Sequence, residues 1–200
     1  MPSDKRHIDM YFSFDVESSG VSPYEHSLIA LGIVACAKYD GKTFQRMDVD
    51  NPNNGFYSLI KELPGRRWNE ESAEIHAIDR QELAVHGYDA SMAMLMMSEW
   101  VRRVADGVRP VAVAYPLGFD WSFLYSYACQ FLMPQENPFG FSGCLDIKTL
   151  YAAKSGNVII NCTKRQMPKK LRSTRPHTHN ALDDAKEQAD LFCNLMEWEV

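Results

Sequence analysis

Residues 8–16 (IDMYFSFDV) are mostly apolar, and residues 27–39 (SLIALGIVACAKY) share that character. Each run predicts a strand. Asp40-Gly41 is a hairpin signal, so residues 42–49 (KTFQRMDV) should return as a third, antiparallel strand. The polar NPNN at 51–54 then breaks the chain before a short segment, GFYSLI. Beyond LPGRRW the period lengthens to that of a helix. DRQELAVHG (79–87) predicts a short helix closed by Gly87. A longer helix is expected from about Ala90 to Asp106, carrying Met92, Met94, Met96, Met97, Trp100, Val101 and Val104; unbranched methionines at this density suit the filling of a core. RPVAVAY (109–115) reads as another buried strand, followed by helices from Gly118 to about Met133 and from Asp146 to Ala153. Lys154 to His179 has weak periodicity, and a loop that long in a compact domain is usually functional. The last helix starts near Asn180, with Leu182, Ala185, Ala189, Phe192 and Met196 making a core-facing stripe. The order is three antiparallel strands, then helices alternating with at least one more strand. Neither a repeat nor a linker interrupts it, so one α/β domain over residues 1–200 is expected.

Composition narrows the class. Hydrophobic residues at 46% and charged residues at 24% suit a soluble globular protein. MPSDKRHIDM lacks the apolar stretch of a signal peptide, and the longest apolar run, LIALGIVACA, is too short to span a bilayer. The five cysteines are odd in number and form no CxxC pair, which points to reduced thiols and a cytoplasmic setting. A net charge of −5 does not announce a nucleic-acid binder. Its distribution matters more: Lys164, Arg165, Lys169, Lys170, Arg172 and Arg175 occur without an intervening acid, just before the last helix. Such a run is ordinarily a solvated loop, and can also grip a phosphate backbone.

Three acidic clusters lie at predicted element ends: Asp15 with Glu17, Asp120 in YPLGFDWSFL, and Asp183 with Asp184 just after His179 in HTHNALDDAKEQ. Asp15 and Glu17, two apart on a strand, share a face and repel one another. Taken singly, each cluster has an ordinary reading as surface decoration or as a helix-start carboxylate. Jointly, four carboxylates at strand ends and helix starts suit hard cations bound through oxygen. Two such ions about 4 Å apart can hold both the attacking and the leaving oxygen of a phosphoryl transfer. A histidine titrating near neutrality can take the proton from water.

These clusters, in this order and spacing, resemble the DEDDh 3′–5′ exonucleases of the ribonuclease H-like superfamily, which include the polymerase III proofreading subunit, ribonuclease T and oligoribonuclease. FDVESSG resembles their first motif, GFDWSFL the second and HNALDDA the third, while EIHAI around His76 and LDIKTL around Asp146 match smaller features. The resemblance spans about Asp9 to Trp198. It implies a mixed five-stranded sheet with helices on both faces. It also implies two divalent ions, Mg²⁺ or Mn²⁺, with Asp15 bridging them, Glu17 and Asp184 holding one, Asp120 positioning the other, and His179 as the base. Ser18, Ser19, Val21 and His76 fall where the family meets its substrate. Nucleotides would leave singly from the 3′ end of single-stranded RNA or DNA as 5′-monophosphates, with RNA narrowly preferred. A homodimer is one arrangement the resemblance allows.

The sequence departs from the pattern at Pro116, where relatives often carry asparagine, and at Ala30, where a carboxylate is common. A DNA proofreading-type exonuclease or a nucleic-acid-binding adaptor domain is therefore a rival expectation, and cleavage of small phosphodiesters another. Trp68 and Trp121 could stack on unpaired bases, whereas Phe123 is assigned to the core.

Overall fold

The first apolar run becomes β1 (Asp9–Ser18), an interior strand of a six-stranded sheet. The computed structural model describes residues 7–199. Along one side of β1 runs β2 (Leu28–Tyr39), antiparallel, and along the other β5 (Arg109–Ala114), parallel. Both neighbours are as apolar as doubly covered strands must be. The outer edge of β2 is shared by β3 (Phe44–Arg46) and β4 (Gly55–Leu59), and β6 (Cys144–Asp146) lies beyond β5. The sheet is the expected mixed one of the ribonuclease H-like fold: a path of five strands, with β4 pairing beside it on β2.

Six α-helices cover the sheet: α1 (Glu70–His76), α2 (Arg80–His86), α3 (Ala90–Ala105), α4 (Leu117–Phe131), α5 (Ile147–Ser155) and α6 (Ala181–Glu197). Strand parity divides β1 between two layers. Phe12, Phe14 and Val16 point into a core shared with Met94, Met97, Trp100 and Val101 of α3 and Phe123 and Tyr127 of α4. Tyr11 points the other way, toward Phe192 of α6, whose ring lies 4.8 Å from its own. Asp15 and Glu17 have the parity of Tyr11, so they emerge on the α6 side at the far end of the strand.

The expected third strand is cut to three residues. The Asp40 carboxylate accepts from the Lys42 and Thr43 N–H groups to make the turn, and pairing with β2 ends at Arg46. Two elements carry no periodic signal. Among the residues of α1 only His76 is buried, so no apolar stripe betrays it, although Asn69 caps it through the Ser72 N–H. Strand β6 is three residues long and is defined by pairing with β5. The core assignment for the methionine helix holds at Met94 and Met97, while Met92 faces solvent. Among the described residues no helix is long and apolar enough to cross a membrane.

One glycine decides how close α6 comes. A Cβ at Gly32 would lie 2.2 Å from the Ala181 carbonyl carbon and 2.3 Å from the Leu182 nitrogen. Gly32 is the β2 partner of Asp15. Its missing side chain lets the first turn of α6 rest directly on the sheet beside that carboxylate.

Candidate active site

Helix α6 is capped by the Asn180 side chain, which accepts from the N–H groups of Leu182 and Asp183. That phase leaves Asp183 exposed and turns Asp184 inward, where it is 1% exposed. The two Asp184 oxygens then gather the preceding loop. Oδ1 accepts from the Thr178 N–H at 2.8 Å and Oδ2 from the His179 N–H at 2.8 Å. His179 adopts φ 57°, a left-handed turn that leaves its side chain exposed at the rim.

Ligand oxygens of Asp15, Glu17 and Asp184 all lie within 4.8 Å of one another. Asp120, buried in the first turn of α4, stands just outside this set, and its Oδ1 accepts from the Val16 N–H at 3.2 Å. Asp15 is steadied by Gln188, one helical turn beyond Asp184. The Gln188 amide donates to Asp15 Oδ1 at 2.7 Å while its Oε1 accepts from the Tyr115 N–H at 2.6 Å.

Crowding buried acids resists their ionisation. Burial, then the charges of Asp184 and Asp120, push the Glu17 carboxyl up to about 8. Burial pushes Asp120 up to about 7, against the Val16 N–H that favours its charged form. Asp15 is raised well above its usual value by burial and by Asp120, Glu17 and Asp184. The Lys164 ammonium works against the rise at Asp15 and Asp120, whereas nothing on Glu17 pulls the other way.

Beside Glu17 opens a cleft of about 240 Å³, walled by Ser18, Val21, Ile75, His76 and Phe119. Val21 is 75% exposed and Phe119 39%, so this wall of the cleft presents apolar surface to solvent. His76 is buried, and its Nδ1 accepts from the Ile78 N–H at 3.0 Å, which places the ring proton on Nε2. Among the described residues that Nε2 has no partner. Burial and the neighbouring His179 hold its pKa below the usual imidazole value.

Other expected contacts fall elsewhere. The Ser19 hydroxyl is fully buried and turned inward, donating to the Arg67 carbonyl at 2.8 Å and accepting from the Ser27 N–H at 2.8 Å. Ser18 donates to the Gly20 carbonyl at 2.6 Å while still lining the cleft. Trp121 packs between Phe14 and Tyr125, and Trp68 between His76 and the Arg80 guanidinium, so neither is a free stacking platform. Half of the basic run is consumed by the fold, while Arg165, Lys169 and Lys170 stay exposed. Lys164 pairs with Glu187, Arg175 with Asp50 and Asp190, and Arg172 donates to the Met167 and Arg165 carbonyls.

Three participants escaped the sequence reading. Phe119 lies one residue before Asp120, and Gln188 lies four after Asp184 on the same helical face. His177, two before His179, puts Nδ1 3.2 Å from Asp184 Oδ2, and the two imidazoles meet edge to face at 4.5 Å.

The chain matches the family model RNase_T, described as Exonuclease, over residues 12–192. It is 29% identical over 193 residues to the 3′-5′ DNA exonuclease Cap18 of Escherichia coli, covering 96% of this chain and 92% of that one. It is 26% identical over 185 residues to ribonuclease T of Haemophilus influenzae strain PittEE, covering 91% and 77%. Among solved structures, the nuclease domain of 3′hExo, a DEDDh family member bound to rAMP, superposes with a TM-score of 0.68 at 15% identity, over 97% of this chain and 94% of that one.

Proposed function

From the premise that this chain belongs to the RNase_T exonuclease family, we propose that it is a 3′–5′ exonuclease removing 5′-mononucleotides from single-stranded DNA or RNA ends. The observation that carries the reading is the convergence of Asp15, Glu17 and Asp184 oxygens within 4.8 Å, with the first two carboxyls raised by burial and by the neighbouring acids. A donor set made only of oxygens fits Mg²⁺ or Mn²⁺. Asp15, Glu17 and Asp184 would hold one ion, and Asp15 with Asp120 the other. When bound, the ions screen the phosphate and lower the pKa of the attacking water.

The remaining work falls to the chain itself. The terminal nucleotide enters the cleft beside Glu17, with Val21 and Phe119 offering apolar surface to its base and the His76 Nε2–H reaching an acceptor on it. His179, exposed at the rim yet tethered through its backbone to Asp184, accepts the water proton. The water oxygen bonds to phosphorus and the bond from phosphorus to the upstream 3′ oxygen breaks, that oxygen taking a proton from solvent to become the new 3′ hydroxyl of the shortened strand. The phosphate departs on the 5′ oxygen of the released nucleoside. Gln188 keeps one Asp15 oxygen oriented during this step.

DNA stands in the name of one relative and RNA in that of the other, so both sugars belong to the proposal. The rival reading, a metal-independent binding module, requires carboxylates satisfied by protein partners, and Glu17 is not so satisfied. The test is incubation of 5′-labelled single-stranded DNA and RNA oligonucleotides with Mg²⁺ or Mn²⁺. Stepwise 3′ shortening is expected, abolished by EDTA and by Asp15→Asn. In His179→Ala it should fall about 10²–10⁴-fold, the span of a lost general base. Intact oligonucleotides of both sugars in every metal would overturn the proposal.

A further inference from the structure

Asp184 also belongs to a second donor set of different chemistry: His177, His179 and Asp184 ligand atoms lie within 4.8 Å of one another. We propose that these three residues bind a borderline transition ion, Zn²⁺ foremost, and that its binding shuts off hydrolysis by engaging the imidazole of His179.

Two imidazoles and one carboxylate are the ligands that Zn²⁺ takes in open, three-ligand sites, whereas Mg²⁺ prefers oxygen alone. The spacing agrees. Ligands about 2.0–2.1 Å from a tetrahedral ion stand roughly 3.3 Å apart, and His177 Nδ1 is 3.2 Å from Asp184 Oδ2. The loop is already in place, because the Thr178 and His179 N–H groups are both bonded to Asp184. Both imidazoles are exposed, so an ion can arrive from solvent. Glu187 comes within 3.9 Å of His177 Nδ1 but is held by Lys164, which leaves the fourth position to water.

Because Asp184 has two oxygens, a zinc ion on the histidines need not evict an ion from Asp15 and Glu17. Saturating Mg²⁺ should therefore fail to restore activity. The functional half of this inference rests on the exonuclease reading; the binding half does not.

The experiment uses the full chain in saturating Mg²⁺. Zn²⁺ is titrated by calorimetry into wild type and His177→Asn, which retains an N–H near Asp184 but no imidazole. In parallel, oligonucleotide hydrolysis is followed against Zn²⁺, each protein normalised to its own zinc-free rate. Loss of a ligand should weaken zinc binding, and raise the half-inhibiting concentration, by at least about tenfold. Equal zinc affinity and sensitivity in the two proteins would overturn the proposal, as would absence of binding to wild type. Should wild type degrade no oligonucleotide, the exonuclease reading fails while calorimetry still decides the ion. Should His177→Asn misfold, the ring resonances of His177 and His179 decide it: both must shift when Zn²⁺ is added to wild type, and unmoved rings overturn the assignment.

Discussion

Replacing Glu17 by Gln should make the metal-free protein more stable, and only at pH values where Glu17 of the unfolded chain ionises. The folded carboxyl titrates near 8 rather than at 4.5, so between those values the folded protein holds a proton that the unfolded chain releases. The stability this gives is full below about pH 4.5, falls as pH rises, and stops falling once the folded carboxyl ionises near pH 8. For one group titrating alone the loss is about 0.8 kcal/mol at pH 5 and about 3.4 kcal/mol at pH 7, at 1.36 kcal/mol per unit. Glutamine has no proton to release in either state. The variant's advantage over wild type should therefore be about 2.5 kcal/mol larger at pH 7 than at pH 5. For a chain of this length that is roughly 5–10 °C in Tm. The assay is thermal unfolding of both proteins in EDTA at pH 5 and pH 7, repeated with Mn²⁺. The ion should lift wild type more than the variant and narrow the gap, while the variant loses nuclease activity. A gap equal at both pH values, or a variant less stable at pH 7, would refute the account of Glu17 as an uncompensated buried acid.

Two further substitutions probe the positioning of the site. Gly32→Ala drives a methyl into the Ala181 backbone and must push the first turn of α6 outward by roughly 1 Å; activity should fall about 10²-fold and stability by about 1–3 kcal/mol, and an unaffected enzyme would remove Gly32 from the argument. His76→Asn keeps an acceptor for the Ile78 N–H but removes the unpartnered Nε2–H along with the ring packed on Trp68, so KM for oligonucleotides should rise about 3–10-fold with kcat nearly unchanged. An unchanged KM would show that this donor faces no substrate atom.

What could be read without coordinates follows from how locally each feature is encoded. Strand parity alone sets Asp15 and Glu17 on one face, and a cap at Asn180 sets the phase of α6, so the carboxylate set was within reach of pattern. Ser19 was not, because its hydroxyl is spent on the Arg67 carbonyl, 48 residues away and on a segment without periodicity. His177 was legible only as one half of an alternating His-Thr-His, and nothing in that alternation says the loop folds back onto Asp184. Strand β6 and helix α1 hide for a related reason: pairing with β5 and burial of a single histidine define them, not an apolar stripe of their own.

The least legible contribution is the one on which the geometry turns. Asp15 and Gln188 lie 173 positions apart and meet at 2.7 Å. Charge cannot have drawn the acids of β1 and α6 together, since like charges separate them. Apolar burial does it: Ala181, Ala185 and Ala189 are all completely buried, small enough to let α6 lie close on β2. Gly32 removes the last obstacle at the level of Asp15. Hydrophobic packing of one helix face thus holds carboxylates at a separation they would not choose. The repulsion stored there is what makes a divalent cation the natural complement of the site.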